Sequence, residues 1–238
     1  MSATEPTAVN AGTRASLVTI SSRSERWLPT LLSVVAGMVD VIGFLSLGIF
    51  TAHVTGNIVV MGALVVRHNR VNPAQVLAIP VFIVAVAATW LVARASGRRG
   101  VGLLRLLLLI QFLLIAWVLI FSVVAKPSAD PNGLIPEIAA MIAVTAMGCQ
   151  FALLRLTLPV APSTAVMTGN LTNAVLALVD SSSQMPLMGS DSGRLTGALQ
   201  LLFGFFVGCV VAAAAVMYLG DWAWSLPTAL SAAAVALP

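Results

Sequence analysis

Long apolar runs, separated by short polar interruptions, organise this chain. Eight can be marked, over residues 28–49, 51–66, 74–93, 102–125, 135–158, 163–180, 195–219 and 222–238. A bilayer's hydrocarbon core is about 30 Å thick, which about 20 helical residues cross. Six runs meet that length or nearly so, while the second and sixth hold only about 16 to 18 residues. Each of the two short runs carries Thr-Gly-Asn near its start. The pattern predicts an all-α polytopic membrane protein whose helices break at Thr-Gly-Asn. Its arrangement is six full spans plus two short or re-entrant segments, with eight full spans as the alternative. The organisation that follows is a polar, disordered cytoplasmic tail over 1–26, a first membrane repeat over 27–125, a linker over 126–134 and a second repeat over 135–238.

The halves are related in their residues. Thr51–Asn57 reads TAHVTGN and Thr164–Asn170 reads TAVMTGN, so five of seven positions agree 113 residues apart. Upstream, Ala36–Asp40 and Met147–Phe151 are both small-residue stretches carrying a polar side chain. A polar motif recurring at half-length in an apolar chain marks a duplication.

Composition narrows the class further. Of 238 residues, 59% are hydrophobic and 8% charged, too few charges to cover a soluble surface of this size. There is no room for a separate soluble catalytic domain. The net charge of +4 is not a nucleic-acid footprint, because the basic residues sit in short loops between apolar runs. Cys149 and Cys209 lie inside apolar runs without metal-site spacing and read as small hydrophobes. Nothing in the first 26 residues resembles a cleavable signal.

Those basic residues also orient the chain. If all eight runs cross, seven Lys/Arg fall on the cytoplasmic side and five outside. If the second and sixth runs dip in and return, Arg94, Arg98, Arg99, Arg105, Arg155 and Arg194 join Arg14, Arg23 and Arg26 inside. Only Arg67, Arg70 and Lys126 remain outside, nine against three. The positive-inside bias favours the second arrangement, with a cytoplasmic N-terminus. Three crossings per half would then invert the second half relative to the first, a plan used by secondary transporters.

Candidate chemistry is sparse. Asp40 is the only charge in its run, and an ionised carboxylate at bilayer depth is costly unless hydrated, paired or protonated. It is either a proton or cation carrier or an acid hydrogen-bonded to a neighbouring helix. Gly56 and Gly169 weaken helix at the two breaks. Thr55 and Thr168 can cap the helices that follow, and Asn57 and Asn170 bring amide donors and an acceptor. Backbone groups opened there need partners from protein, water or a ligand, which makes the pair of turns a candidate solute or ion site. The bland alternative is that both turns simply pack helices, with Asn bonding across the interface. His53 precedes Asn57 by one helical turn, sharing its face if that stretch is helical, and would relay protons with Asp40. Gln150 and Asn173 add polar lining. Gly204-Phe205-Phe206-Val207-Gly208 is a close-packing pattern, better suited to internal packing than to a dimer face. No nucleophile pair, metal cluster or phosphate loop appears, so the chain reads as a non-enzyme without cofactor.

Three stretches resemble one family: AGMVDVIGFLSLGIFTAHVTGN at Ala36–Asn57, MGCQFALLRL at Met147–Leu156 and VMTGNLTN at Val166–Asn173. Over about residues 28–238 the sequence is similar to the YoaK, or DUF1275, family of bacterial membrane proteins. Phe151 stands where members of that family carry Asn. The resemblance implies a multi-pass protein of the bacterial cytoplasmic (inner) membrane and supplies no reaction.

The expectation is therefore a secondary transporter or permease for a small solute or ion, proton-coupled through Asp40. The alternative is a non-transporting scaffold, sensor or assembly protein. Its partners would be the lipid bilayer and an unidentified solute or ion, with a homo-oligomer left open and no nucleic acid.

Overall fold

The structure is a computed structural model that describes residues 22–69, 71–126, 133–159, 161, 163–181 and 192–237. Most of the expected tail and of the expected linker lie outside the described residues. The elements are helical: α1 Ser22–Leu47, α2 Gly56–Val66, α3 Pro73–Ala95, α4 Val101–Ala125, α5 Leu134–Thr157, α6 Met167–Ser181, α7 Ser192–Leu219 and α8 Ser225–Ala236. A 3-10 turn, Gly220–Trp224, joins the last two. The first helix starts at Ser22, so it takes in the end of the stretch read as a tail.

Five stretches are long and apolar enough to cross a membrane, the last being the 42 residues Leu195–Ala236. That last stretch folds in two at Gly220, whose φ of +55° suits a residue without Cβ. After it, the 3-10 turn and α8 together extend ~28 Å, close to the thickness of a bilayer core. By contrast α2 has 11 residues, ~16 Å of helix, and α6 has 15, ~22 Å.

Two hydrophobic clusters fix the directions of the helices. One joins Leu28 and Leu32 at the start of α1 to Leu104 and Leu108 at the start of α4, Leu153 and Leu158 at the end of α5, and Ala234 at the end of α8. This is the near end of the bundle. The other joins the end of α1 (Ile42, Leu47) to the starts of α3 (Ala74, Ala78) and α5 (Ala139, Ala143). It also takes in the later parts of α4 (Ile115, Val118) and α7 (Ala212, Ala215), and Trp224. This is the far end. Hence α1, α4 and α7 run from near to far, and α3, α5 and α8 run back.

Helices α1 and α5 form the centre. In their most apolar windows 67% and 72% of residues are buried, against 17% for α3 and 28% for the α7–α8 stretch. Helix α1 packs on α7, and α5 packs on α3 and α4. The α1–α7 crossing is close because glycine removes the side chains between the backbones. A Cβ on Gly37 would strike the Phe205 carbonyl, and one on Gly208 the Val34 carbonyl; Gly204 faces Thr30. The glycine pair in α7 therefore serves packing within the chain. On the other side, Gly148 of α5 faces Ala85 and Phe82 of α3.

Each short helix lies between two helix ends at the same end of the bundle. The chain leaves α1 at the far end through Gly48 (φ +72°) and passes through α2. It enters α3 beside its point of departure: Asn72 Nδ2 donates to the Leu47 carbonyl (3.5 Å) and Gln75 Nε2 to the Gly48 carbonyl (3.1 Å). Asn72 also caps α3, its Oδ1 accepting from Ala74 N–H at 2.9 Å. Helix α6 likewise follows the near-end terminus of α5 and packs on α7, which starts at the near end. Arg94, Arg98, Arg99, Arg105 and Arg155 fall at near-end helix termini, and Arg67 and Lys126 at far-end ones.

Candidate functional site

The two breaks are built on one plan. After α1 ends, the chain doubles back along its last turns: Ile49 N–H reaches the Gly43 carbonyl and Thr51 Oγ1 donates to the Val39 carbonyl at 3.1 Å. This returns residues 51–53 to the level of Asp40, seven residues or ~10 Å of helix before the end of α1. Asp40, 4% exposed, receives the loop. Its Oδ1 accepts from the N–H of Thr51 (2.9 Å), Ala52 (2.7 Å) and His53 (3.3 Å), and its Oδ2 lies 2.5 Å from His53 Nδ1. Four donors converge on one carboxylate, which answers the cost of putting it inside an apolar bundle.

His53 thus meets Asp40, as the relay requires, although by another route. The expected helical face shared with Asn57 is absent, because His53 precedes α2 and lies in the loop. Its ring stands edge-on to Phe205 of α7, with centroids 5.0 Å apart. Nε2 is buried without a partner among the described residues, while the side chain as a whole keeps 28% of its surface. Cys209, one turn on from Phe205, donates to the Gly37 carbonyl at 3.7 Å.

Asn57 closes the loop. Its Oδ1 accepts from Phe50 N–H and its Nδ2 donates to Phe50 C=O, both at 2.8 Å, so the amide pairs with one residue's backbone as a strand neighbour would. Gly56 leaves room for the Phe50 ring, which stacks on Phe44 at 4.7 Å. Thr55 occupies the cap position of α2, but its side chain makes no cap hydrogen bond and is exposed.

The second break keeps the amide and lacks the acid. Asn170 Nδ2 donates to the Ser163 carbonyl at 2.8 Å, again seven residues back. Ser163 Oγ accepts from Ala165 N–H at 3.3 Å. Thr164, 1% exposed, has no partner for its Oγ1 among the described residues. Phe151, three residues after Gly148 as Asp40 is three after Gly37, faces this loop instead of a carboxylate. It lines a void of about 10 Å³ with Leu154, Arg155, Ala161, Ser163 and Thr164. Gly169 is partly buried, while Thr168 and Asn173 are exposed, so Asn173 lines no polar interior.

Gln150 belongs to a third place, the contact of α1, α4 and α5. Its Nε2 donates to the Leu32 carbonyl at 2.9 Å and its Oε1 accepts from Gln111 Nε2 at 2.6 Å, with both residues fully buried. Sequence reasoning passed over Gln111, though a lone amide inside an apolar run was the available signal. It also passed over Phe205, which nothing in the sequence connects to His53. Asn57 and Asn170 are each spent on their own loop rather than on each other. The roomier described void, about 340 Å³, is an apolar groove on the outside of α3, α4 and α5 with Glu137 and Thr145 as its polar members.

These features define an all-helical membrane protein with two broken helical hairpins and, among the described residues, one part-buried carboxylate–imidazole pair. Within that class the chain belongs to the family described as "Protein of unknown function (DUF1275)", whose model matches residues 28–237. No curated protein and no solved structure matches it.

Proposed function

We propose that the chain is a secondary transporter or permease for a small solute or ion, working in the bacterial inner membrane, with Asp40 and His53 as its proton-coupled pair. The observation that carries this is the part-buried Asp40–His53 contact, made where the loop before α2 meets α1. In this reading α2 and α6 return to the side they left, and six helices cross. The halves are then inverted repeats, which accounts for α1 packing on α7 while α5 packs on α3. The arginine-rich near end is cytoplasmic, and so is the N-terminus.

The mechanism uses the geometry of the first break. With Asp40 ionised, His53 Nδ1–H and three backbone N–H groups hold the loop against α1. A proton enters at His53 Nε2 and makes an imidazolium that grips Oδ2; passage of the Nδ1 proton to Oδ2 then leaves a neutral acid–imidazole pair that holds the loop less firmly, and solute occupancy and protonation become linked. Rocking of one half against the other then exposes the turns to the opposite side.

The test uses proteoliposomes enclosing a pH-sensitive dye, challenged with sodium, potassium, ammonium, chloride and formate salts. Wild-type protein should move protons with at least one of them, and Asp40→Asn should insert normally and lose that movement. Proton movement unchanged in Asp40→Asn removes the role of the pair. On the same vesicles, a cysteine at position 70 should label from the side opposite to one at position 14 in the N-terminal stretch; labelling from the same side ends the six-crossing arrangement.

A second reading is favoured by one set of contacts. Asn57, Asn170 and Gln150 all serve backbone groups of the protein itself. A non-transporting scaffold or sensor would use them so, and it predicts no solute-dependent proton movement at all.

A further inference from the structure

We infer that the second break binds a small monovalent anion at the place where the first break carries the Asp40 carboxylate. This rests on the reading of the breaks as solute sites, and it names the solute class for one of them.

The first break is in effect an anion site filled by the chain itself, since the Thr51, Ala52 and His53 N–H groups close on Asp40. The second repeats the loop, the Asn lock and the glycine three residues upstream, but Phe151 replaces the acid. What remains is a void of about 10 Å³, room for one water-sized sphere. Around it stand a charge and two donors. Arg155 brings a guanidinium, and no acidic side chain lines the space among the described residues. Thr164 is 1% exposed, and its Oγ1 is unpartnered among the described residues. Ser163 Oγ accepts from Ala165 N–H, which leaves its own hydrogen to give. The 15-residue α6 begins three residues after Thr164 and adds the positive end of its dipole. A buried hydroxyl without a partner has a desolvation cost that an anion removes by accepting from it.

Binding is read on the full-length protein in detergent, apart from any flux. The thermal unfolding midpoint is followed as sodium gluconate is exchanged for sodium fluoride, chloride or formate at constant ionic strength. A ligand of the folded state raises the midpoint saturably. Wild-type protein should respond to at least one of the three. Arg155→Gln and Thr164→Val should each weaken half-saturation at least tenfold, and Phe151→Asp should abolish the response by supplying the carboxylate internally. Arg98→Gln, at the same end but away from the void, should respond as wild type does. No saturable response in wild type, meaning that only water fills the void, overturns the inference. So does an undiminished response in both Arg155→Gln and Thr164→Val. Binding without flux in proteoliposomes leaves this site standing and removes the transport reading; flux without the midpoint response does the reverse.

Discussion

The two breaks share five of seven residues, the same Asn-to-backbone span and the same glycine upstream, yet one is anchored and the other is not. At the first, a carboxylate gathers three backbone N–H groups and an imidazole, and the amide makes two hydrogen bonds. At the second, the amide makes one among the described contacts, a hydroxyl lacks a partner and a small void stands beside Arg155. Each turn needs something to satisfy its polar groups inside an apolar bundle, and the two meet that need differently. One uses an acid of its own; the other leaves a small void, which we propose a ligand fills.

The comparison is broken most severely at Asp40. Asp40→Ala strands three N–H groups and the His53 ring inside the bundle, and the loss should be about 3–5 kcal/mol. A lowered unfolding midpoint in detergent checks it. Arg155→Ala, the charge beside the other break, should cost less than about 1 kcal/mol, since Arg155 is exposed. Equal losses would mean that the anchoring asymmetry has no energetic content.

Much of this was legible in the sequence because a membrane chain makes its exceptions conspicuous. A lone acid in an apolar run and a polar motif recurring at half-length singled out Asp40 and both Thr-Gly-Asn turns. The arginines argued for short segments that return; in the structure α2 joins two far-end helix termini and α6 two near-end ones. The partners of those residues were not legible. His53 reaches Asp40 because the chain doubles back after Gly48, a tertiary event that no helical periodicity encodes. For the same reason Asn57 and Asn170 were expected to face a shared solute, whereas each pairs with the backbone seven residues before it. The Gln111–Gln150 contact joins residues 39 apart on two helices, and spacing alone gives no hint of it.

The second difference lies in the helix crossings beneath the breaks. Gly37 meets the α7 backbone, where a methyl group would strike the Phe205 carbonyl, while Gly148 meets the Ala85 methyl at 2.8 Å and the Phe82 carbonyl at 3.4 Å. A backbone carbonyl in a packed helix yields less readily than a side chain. Gly37→Ala should therefore cost about 2–3 kcal/mol and Gly148→Ala about 1–2 kcal/mol, read as unfolding midpoints. A reversed order would place the tighter crossing in the second half and undo the account of α1 and α7.

The smallest expected effect discriminates between the two amides. Asn57→Ala frees both the N–H and the C=O of Phe50, while Asn170→Ala frees only the Ser163 carbonyl among the described bonds. An unpaired buried donor costs more than an acceptor that can find a second partner, so the changes should be about 2 and about 1 kcal/mol. Stability alone could mislead, because each side chain also packs. Hydrogen exchange separates the contributions: Phe50 N–H should lose its protection in Asn57→Ala and keep it in Asn170→Ala. Protection retained in Asn57→Ala would show that Asp40 alone holds the first loop, and the amide would then be free to meet a solute.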